Sequence, residues 1–555
     1  MSVGKLRIVF LIGKDDAGTQ STIARVCQSS SVEPLAVLLD TARNPPSRRW
    51  RNLKRNVRRE GLAYIPHRLT VALREKLESL ADRVIPRHEV EQLIHKAFPE
   101  RGLTALASRY SFPVFEAGNL NEAPAVDYLR SLDADLGIVL GTRILKRTAF
   151  SVPAQGCVNL HKGKVPGYRG MPPGFWELFD GQKSAGVTVH LVDDGLDTGD
   201  VFGTADIPIH PKETPESLRR KLDEEGTRVM AEVVDQIALG TARREPQPQT
   251  TQKARTRPTR EQTRELARRL PHWRRLGDLR QAIKTAMWLL IFHGGVFSLV
   301  RRLHAGKSRG AILLYHRVND ISEDVLTAST RRFAEHLVTV RHYYRAAKTE
   351  DIVDHIASHS PLMPTTVAIH FDDCYQDVRT CAAPLLAAAG VPAMAFVSSG
   401  FVGTDRVFDH DREKYPRRFP NLDAQDLCEL PPMGVSVAAH TVNHVDLGSI
   451  SLDQARIEVE ESGRCLAQLI SRPVNLFSFP FGRLDNIREE VREMVMTAGY
   501  RGLFSAHGGF INNGTSLFDI PRFGVSSDHS PLALMMELEG ISIKHVKAWL
   551  RSAFR

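Results

Sequence analysis

Cysteine is scarce: six in 555 residues, at positions 27, 157, 374, 381, 428 and 465, with no C-x-x-C pair. That excludes a disulfide scaffold and a thiolate zinc centre, and a reducing compartment is expected. Long apolar runs are lacking too. The first, Ile8 to Ile12, is too short for a signal peptide and reads as an opening strand. The strongest, Thr285 to Val300, stops at sixteen residues, short of a comfortable bilayer span. No internal repeat is visible, and 42% hydrophobic with 25% charged residues excludes a disordered chain or a membrane bundle. At this length two or more domains are expected. They are expected in the cytoplasm, or peripherally at the inner face of the membrane.

The formal charge of +10 is local. Between Arg243 and Lys284 stand thirteen Lys and Arg against Glu245, Glu261, Glu265 and Asp278, and a second basic cluster runs from Arg48 to Arg59. Strand-like runs at Arg7 to Ile12, Leu35 to Leu39 and Leu136 to Leu140 alternate with helical stretches, as in α/β folds. Thr214-Pro215-Glu216 then reads as cap, first helical residue and favourable acid, with Gly240 as the stop. A first domain over 1–240 is expected. Residues 241–276 hold few apolar positions and read as solvated, so 241–305 is a basic linker ending in a short apolar helix. Its basic flanks leave two readings open: in-plane membrane contact through 243–302, or packing on a domain. From Ala311 onward strands recur at Ala311 to Tyr315, Thr366 to Phe371, Ala393 to Val397, Val435 to Ala439 and Leu476 to Phe479, so 306–555 is a second α/β domain.

The first chemical constellation is Asn159-Leu160-His161, then Pro166-Gly167-Tyr168-Arg169-Gly170, Gly186-Val187-Thr188 and Asp193-Asp194-Gly195-Leu196-Asp197-Thr198-Gly199. Formyl transfer to an amine needs a group that stabilises an oxyanion and a carboxylate that handles the amine proton. Asn, His and Asp supply these if they converge. The arrangement resembles the 10-formyltetrahydrofolate-dependent formyltransferase family over about residues 5–210. The resemblance implies a Rossmann-like fold, with Asn159 and His161 polarising the formyl carbonyl and Asp197 accepting the amine proton through water. It also implies a folate-binding turn at Gly141, Ile144 and Leu145. Many relatives carry Pro-Ser after the His where this chain has Lys162-Gly163. Relatives that formylate transfer RNA carry a small nucleic-acid-binding domain that is absent here, so nucleic acid is not the expected partner.

The second constellation begins with Asp372-Asp373 at the end of an apolar strand. Sixty-seven residues after Asp373, His440 and His444 stand at i and i+4, a spacing that on a helix would let both reach one cation. One carboxylate and two imidazoles leave open positions and suit zinc, cobalt or another borderline divalent ion. With Phe477-Ser478-Phe479-Pro480-Phe481-Gly482 and Leu314-Tyr315-His316-Arg317-Val318, these residues resemble the polysaccharide deacetylases over about residues 310–527. The resemblance implies a distorted (β/α) barrel with Asp373, His440 and His444 on the metal and Asp372 as the base. The family's Arg-Pro-Pro and Leu-x-His motifs are missing, and Arg522 and His507 are the candidate replacements. Cys374 reads as a small buried residue.

Together the two resemblances imply a carbohydrate-modifying enzyme. A hydrolase acting on the non-peptide C–N bond of an acetamido sugar is joined to a folate-dependent amino-sugar N-formyltransferase. The substrate is expected to be an acetamido or amino sugar on a nucleotide or lipid carrier. Two alternatives stay open: a deacetylase whose N-terminal half only binds substrate, and a membrane-surface scaffold.

Overall fold

The computed structural model describes residues 4–42, 46–62, 64–248, 250–271, 273, 278–320, 325–412, 419–526 and 529–541. Residues 249, 272 and 274–277 of the expected linker, and the side chains of Arg48 and Arg49 in the basic cluster, lie outside them. The chain divides into two compact units, Met1–Arg68 with Pro99–Arg275, and Leu69–Phe98 with Leu276–Arg555. These limits differ from the sequence-based ones at 240 and 306.

The first unit is built on β1 (Leu6–Ile12), β2 (Val32–Asp40), β3 (Val114–Gly118), β4 (Leu136–Leu140), β5 (Cys157–His161), β6 (Ser184–Leu191) and β7 (Val201–Pro208), in the order β3-β2-β1-β4-β5-β6-β7. The first five are mutually parallel and β6 and β7 are antiparallel, a Rossmann-like sheet. Alternation along β1 sends Ile8, Phe10 and Ile12 to one cluster with Ile23, Leu218 and Val229. Val9 and Leu11 join Leu38, Leu129 and Phe150 in another. Both faces are therefore covered, as parallel sheets require. The helix Pro215–Ala238 starts where its cap predicts, with Thr214 and Ser217 forming a capping box.

Residues 241–275 stay with this unit instead of hanging in solvent. Backbone pairing explains it: Glu245 pairs with Val201 in both directions (2.8 and 2.9 Å), and Arg255 N donates to Arg169 O (2.7 Å). The few apolar side chains of the stretch also find a site, since Leu266 and Trp273 are buried against Phe175 and Trp176. Composition sees neither the pairing nor the spacing of these two residues.

In the second unit, strands β8 (Gly310–Tyr315), β9 (Arg317–Val318), β10 (Thr327–Ala328), β11 (Arg345–Ala346), β12 (Thr366–Phe371), β13 (Ala393–Val397), β14 (Val435–Ala439), β15 (Leu476–Ser478), β16 (Gly502–Phe504) and β17 (Phe523–Gly524) follow one another. The main sheet runs β16-β15-β14-β13-β12-β8-β17, all parallel. Residues 520–525 complete the ring: Ile520 N donates to Leu503 O (2.9 Å) on β16, and Val525 N to Leu314 O (2.8 Å) on β8. This is a distorted (β/α) barrel. Ile312, Ala368, Phe396, Ala438 and Phe504 form one cluster, while their neighbours Leu313, Ile369, Ala395 and Ala439 pack with Phe333, Leu337, Leu385 and Leu466.

The helix Arg87–Ala97, from residues 69–98, joins this second core through Val90 and Leu93 (1% and 4% exposed). Glu89 pairs with His342 at 2.9 Å and Glu91 with Arg331 at 2.7 Å. The apolar stretch expected as one helix is two, Asp278–His293 and Val296–His304, broken at Gly294-Gly295, where Gly295 takes φ 84°.

Two candidate active sites

Asp372, Asp373, His440, Ser478, Ser505 and Arg522 all lie at or just past the C-terminal ends of barrel strands, or just before β17, the end where such barrels carry chemistry. Asp373 Oδ1 is 3.1 Å from His444 Nε2 and 3.8 Å from His440 Nε2. Both oxygens of Asp373 are buried without a hydrogen-bond partner among the described residues, and the residue is 1% exposed. Burial pushes its pKa up, but the neighbouring imidazoles of His444, His316 and His410 hold it well below the usual carboxylate range. A buried carboxylate left without donors, facing two imidazoles, is what a divalent cation would complete. His440 Nδ1 donates to Ser478 O (2.8 Å), which leaves its Nε2 lone pair for the cluster.

The two histidines do not share a helix face, contrary to the reading of their spacing. Residues 441–444 form a loop with Thr441 and His444 at positive φ (63° and 55°). Buried Glu458 accepts from Val442 N (2.9 Å), Asn443 N (2.7 Å) and Asn443 Nδ2 (2.6 Å), taking the amides a helix would use internally. The convergence survives because the loop supplies it.

Arg522, fully buried, grips Asp372 with two prongs, Nη1 to Oδ1 (2.7 Å) and Nη2 to Oδ2 (2.8 Å). Two more of its donors go to Ser478 Oγ (2.6 Å) and Ser505 O (2.9 Å). Burial raises the Asp372 pKa, and Arg522 and His440 more than reverse it, so Asp372 stays a carboxylate. His507 instead pairs with Asp519 (2.9 Å), and no hydrogen bond or ion pair ties it to Asp372 or Asp373 among the described residues. Cys374 is buried and its thiol pKa is raised by desolvation, as a packing residue's would be.

In the first unit Asn159 stands in the middle of β5 and His161 at its C-terminal end, and Asp197 comes toward them from the loop between β6 and β7. His161 Nδ1 is 3.4 Å from Asp197 Oδ2. Asn159 reaches the pair through His190: its Nδ2 donates to His190 Nε2 (3.2 Å), which is 3.6 Å from Asp197 Oδ1. Gly170 N donates to Asp197 Oδ2 (3.0 Å). Burial raises the Asp197 pKa, but His190, His161 and Gly170 bring it below its ordinary value. Burial pulls His161 down more than Asp197 and the Tyr168 carbonyl (2.7 Å) pull it up.

The departure at Lys162-Gly163 has a steric reason. A Cβ on Gly163 would lie 2.4 Å from Tyr168 O and 2.7 Å from His161 Nε2, and Lys162 turns away to pair with Asp223. Of the expected cofactor turn, Gly141 takes φ 61°, Leu145 is buried and Ile144 is 68% exposed. Only Ile144 of the three lines the neighbouring cleft of 310 Å³, with Asn119, Asn121, Glu122, Arg143 and Lys146.

Residues 70–234 match the family described as Formyl transferase, and residues 359–503 the family described as Polysaccharide deacetylase. The chain joins a formyl transferase domain to a polysaccharide deacetylase domain. It is 35% identical over 142 residues to a methionyl-tRNA formyltransferase of Agathobacter rectalis, covering 25% of this chain and 46% of that one. A second such enzyme, from Geobacter sulfurreducens, is 35% identical over 144 residues (26% and 45%). The chain thus spans about half the length of the curated relatives it matches. Among solved structures, the deacetylase PplD of Streptococcus pyogenes aligns with 20% identity and a TM-score of 0.37, over 42% of this chain and 99% of that one. A glycinamide ribonucleotide transformylase of Symbiobacterium toebii aligns with 19% identity and a TM-score of 0.29, over 42% and 89%.

Three groups escaped the sequence reading. In the deacetylase domain His410 Nε2 lies 3.6 Å from Asp373 Oδ2 and 2.9 Å from Tyr375 OH. Tyr375 donates to Asp411 (2.6 Å), which the buried Arg317 clamps at 2.9 and 2.8 Å. Nothing but the Asp409-His410-Asp411 triplet signals this in the sequence. In the formyl transferase domain the second is His190, near the end of β6, two residues beyond the Gly186-Val187-Thr188 motif. Gln247, in the stretch read as linker, donates to Asp197 O (3.2 Å) and Gly199 O (2.7 Å), and so braces the loop that carries Asp197.

Proposed function

We propose that the chain hydrolyses the acetamido group of an amino sugar in its deacetylase domain and formylates the exposed amine in its formyl transferase domain. The observation that carries the reading is Asp373, buried, ionised and without donors between His440 and His444, beside an Asp372 clamped by Arg522. Asp373, His440 and His444 would hold the cation, and their mixed oxygen and nitrogen set suits zinc or cobalt. Such a cation, when bound, supplies Lewis-acid polarisation and lowers the pKa of water. Asp372 takes the proton of the attacking water, and Arg522 fixes both of its oxygens so that this proton is received at a set position. That proton is passed on to the amide nitrogen as its C–N bond to the acetyl group breaks, so acetate and a free amine leave.

In the formyl transferase domain, Asn159 and His161 stabilise the oxyanion that forms when an amine attacks the formyl group of 10-formyltetrahydrofolate. The amine proton passes to Asp197 through water and from there to the leaving nitrogen of tetrahydrofolate, whose C–N bond to the formyl group breaks as the new formamide forms. The first reaction's product has the functional group that the second consumes, which supports an amino sugar as the acceptor. A nucleotide- or lipid-linked carrier is compatible with that chemistry.

Mass spectrometry of acetamido sugars incubated with the full chain and zinc or cobalt tests this, with and without 10-formyltetrahydrofolate. The expected result is metal-dependent loss of acetyl, abolished in Asp373→Asn, and a folate-dependent gain of formyl, abolished in His161→Ala. Loss of acetyl with no formylation of the freed amine or of the amino sugar itself would reduce the N-terminal domain to a binding module. No mass change in a broad panel, from protein that holds no metal, would overturn the reading.

A further inference from the structure

The bent pair of helices Leu279–His293 and Val296–His304 has two apolar sides. One side belongs to the deacetylase core: Trp288, Leu289, Ile291 and Phe297 are all under 9% exposed. Arg301 is fastened to Tyr343 O on the same side. The other side is open, with Leu279, Ile283 and Leu290 at 54%, 59% and 73% exposure on the first helix and Val296, Leu299 and Leu303 at 45%, 58% and 62% on the second. At about 100° per residue each triplet falls within roughly 60° of arc, so each is a stripe and not a scatter.

The exposed charge beside these stripes is cationic. No Asp or Glu occurs from Leu279 to Asn319; Arg301 and Arg309 turn to the buried Glu539 and Arg317 to Asp411, which leaves Arg280, Lys284, Arg302 and Lys307 beside the open side. Arg280, Lys284 and Arg302 each follow or precede a stripe residue, which puts them about 100° off its centre. That is the rim an in-plane helix turns toward lipid headgroups.

We propose that this face docks the protein on an anionic lipid bilayer, with the six exposed apolar side chains among the acyl chains and the cations at the phosphate level. The helices lie in the plane and do not cross. The first is about 22 Å long against the roughly 30 Å of a hydrocarbon core, and its opposite side is committed to the deacetylase core. A second copy fits less well, because pairing two such faces sets cation against cation. The contact read from sequence over 243–302 narrows to 279–303, since 243–275 packs in the other unit. Each cation held near an anionic surface adds about fivefold to affinity.

The test is co-sedimentation of the full chain with vesicles of phosphatidylcholine, alone or mixed with phosphatidylglycerol, with sedimentation velocity in parallel. Wild type is expected to pellet with the mixed vesicles and to be released by salt. Leu290→Ser/Leu299→Ser/Leu303→Ser should weaken this by more than about tenfold. Arg280→Gln/Lys284→Gln/Arg302→Gln should remove the preference for phosphatidylglycerol. If the serine variant fails to fold, hydrogen exchange on wild type decides: vesicle-induced protection confined to 279–303 supports the proposal, and none there overturns it. Binding that neither variant changes would overturn it, as would a dimer abolished by the serine substitutions without vesicle binding.

Discussion

In the deacetylase domain, Asp372 and Asp373 are 5% and 1% exposed, and side chains hold them: Arg522, Ser478, His440 and His444. In the formyl transferase domain, Asp197 sits in a left-handed conformation (φ 55°); two imidazoles, His161 and His190, and Gly170 N face its carboxylate, and the Gln247 side chain holds its backbone carbonyl. The first arrangement has its geometry fixed by buried charge. It tolerates no missing partner, because each charge left behind stays buried. The second depends on how loops are laid down, and the stretch 245–257 is one of those loops. Losses should therefore be steep in the first site and graded in the second.

The largest effect expected is Asp373→Asn, which removes the only acid of the proposed metal set. Metal content measured by mass spectrometry should fall below one per chain, and deacetylation by at least about a thousandfold, since a metal's Lewis acidity supplies several kcal/mol. Next comes Arg522→Gln, which leaves Asp372 buried without its partner. A loss of about 3–5 kcal/mol in urea unfolding is expected, with deacetylation falling in step, whereas Arg522→Lys should not restore the bidentate grip. An undiminished stability would break the contrast between the two sites.

Glu177 sharpens it from the other side. This carboxyl, 2% exposed beneath the Tyr168 loop, is pushed up to about 7 by burial. Between the ordinary value of 4.5 and about 7 the folded protein keeps a proton that the unfolded chain has lost. Stability from this group is therefore full below pH 4.5 and falls as pH rises to 7, by about 3 kcal/mol in all. Glu177→Gln should flatten that slope and raise the melting temperature at pH 8, read by calorimetry. The smallest effect is Gln247→Ala, which removes two hydrogen bonds worth about 1 kcal/mol each. Formylation should drop by about tenfold while deacetylation is unchanged. Equal effects on both would show that 247 acts on folding and not on the Asp197 loop.

What the sequence made legible was chemistry carried by short contiguous motifs at strand ends. Five of the barrel strands, the Thr214 cap and the convergence of Asp373, His440 and His444 could all be read that way. Arg522 was only a candidate replacement for a missing family motif, and its bidentate grip on Asp372, 150 residues away, could not be read from one strand. The His440–His444 spacing invited a helix because Glu458, fourteen residues on, takes the loop amides only after the helix Leu452–Ile470 has packed. Residues 241–275 looked solvated because their ordering comes from backbone pairing and two buried side chains, neither of which shifts average composition.

The placement of residues 69–98 in the second unit bears on how the protein is made. Its chain passes between the two units three times, at 68/69, 98/99 and 275/276. Val90 and Leu93 are synthesised long before Leu337 and Leu385, with which they share a core. At about 5–20 residues per second the nascent helix waits roughly 10–60 s with its apolar side uncovered. The first unit cannot close until the chain has left and returned, so its assembly is a matter of order of emergence as much as of affinity. A single cut at any of these three crossings strands part of one core, and a fragment beginning at 306 lacks Val90 and Leu93 altogether.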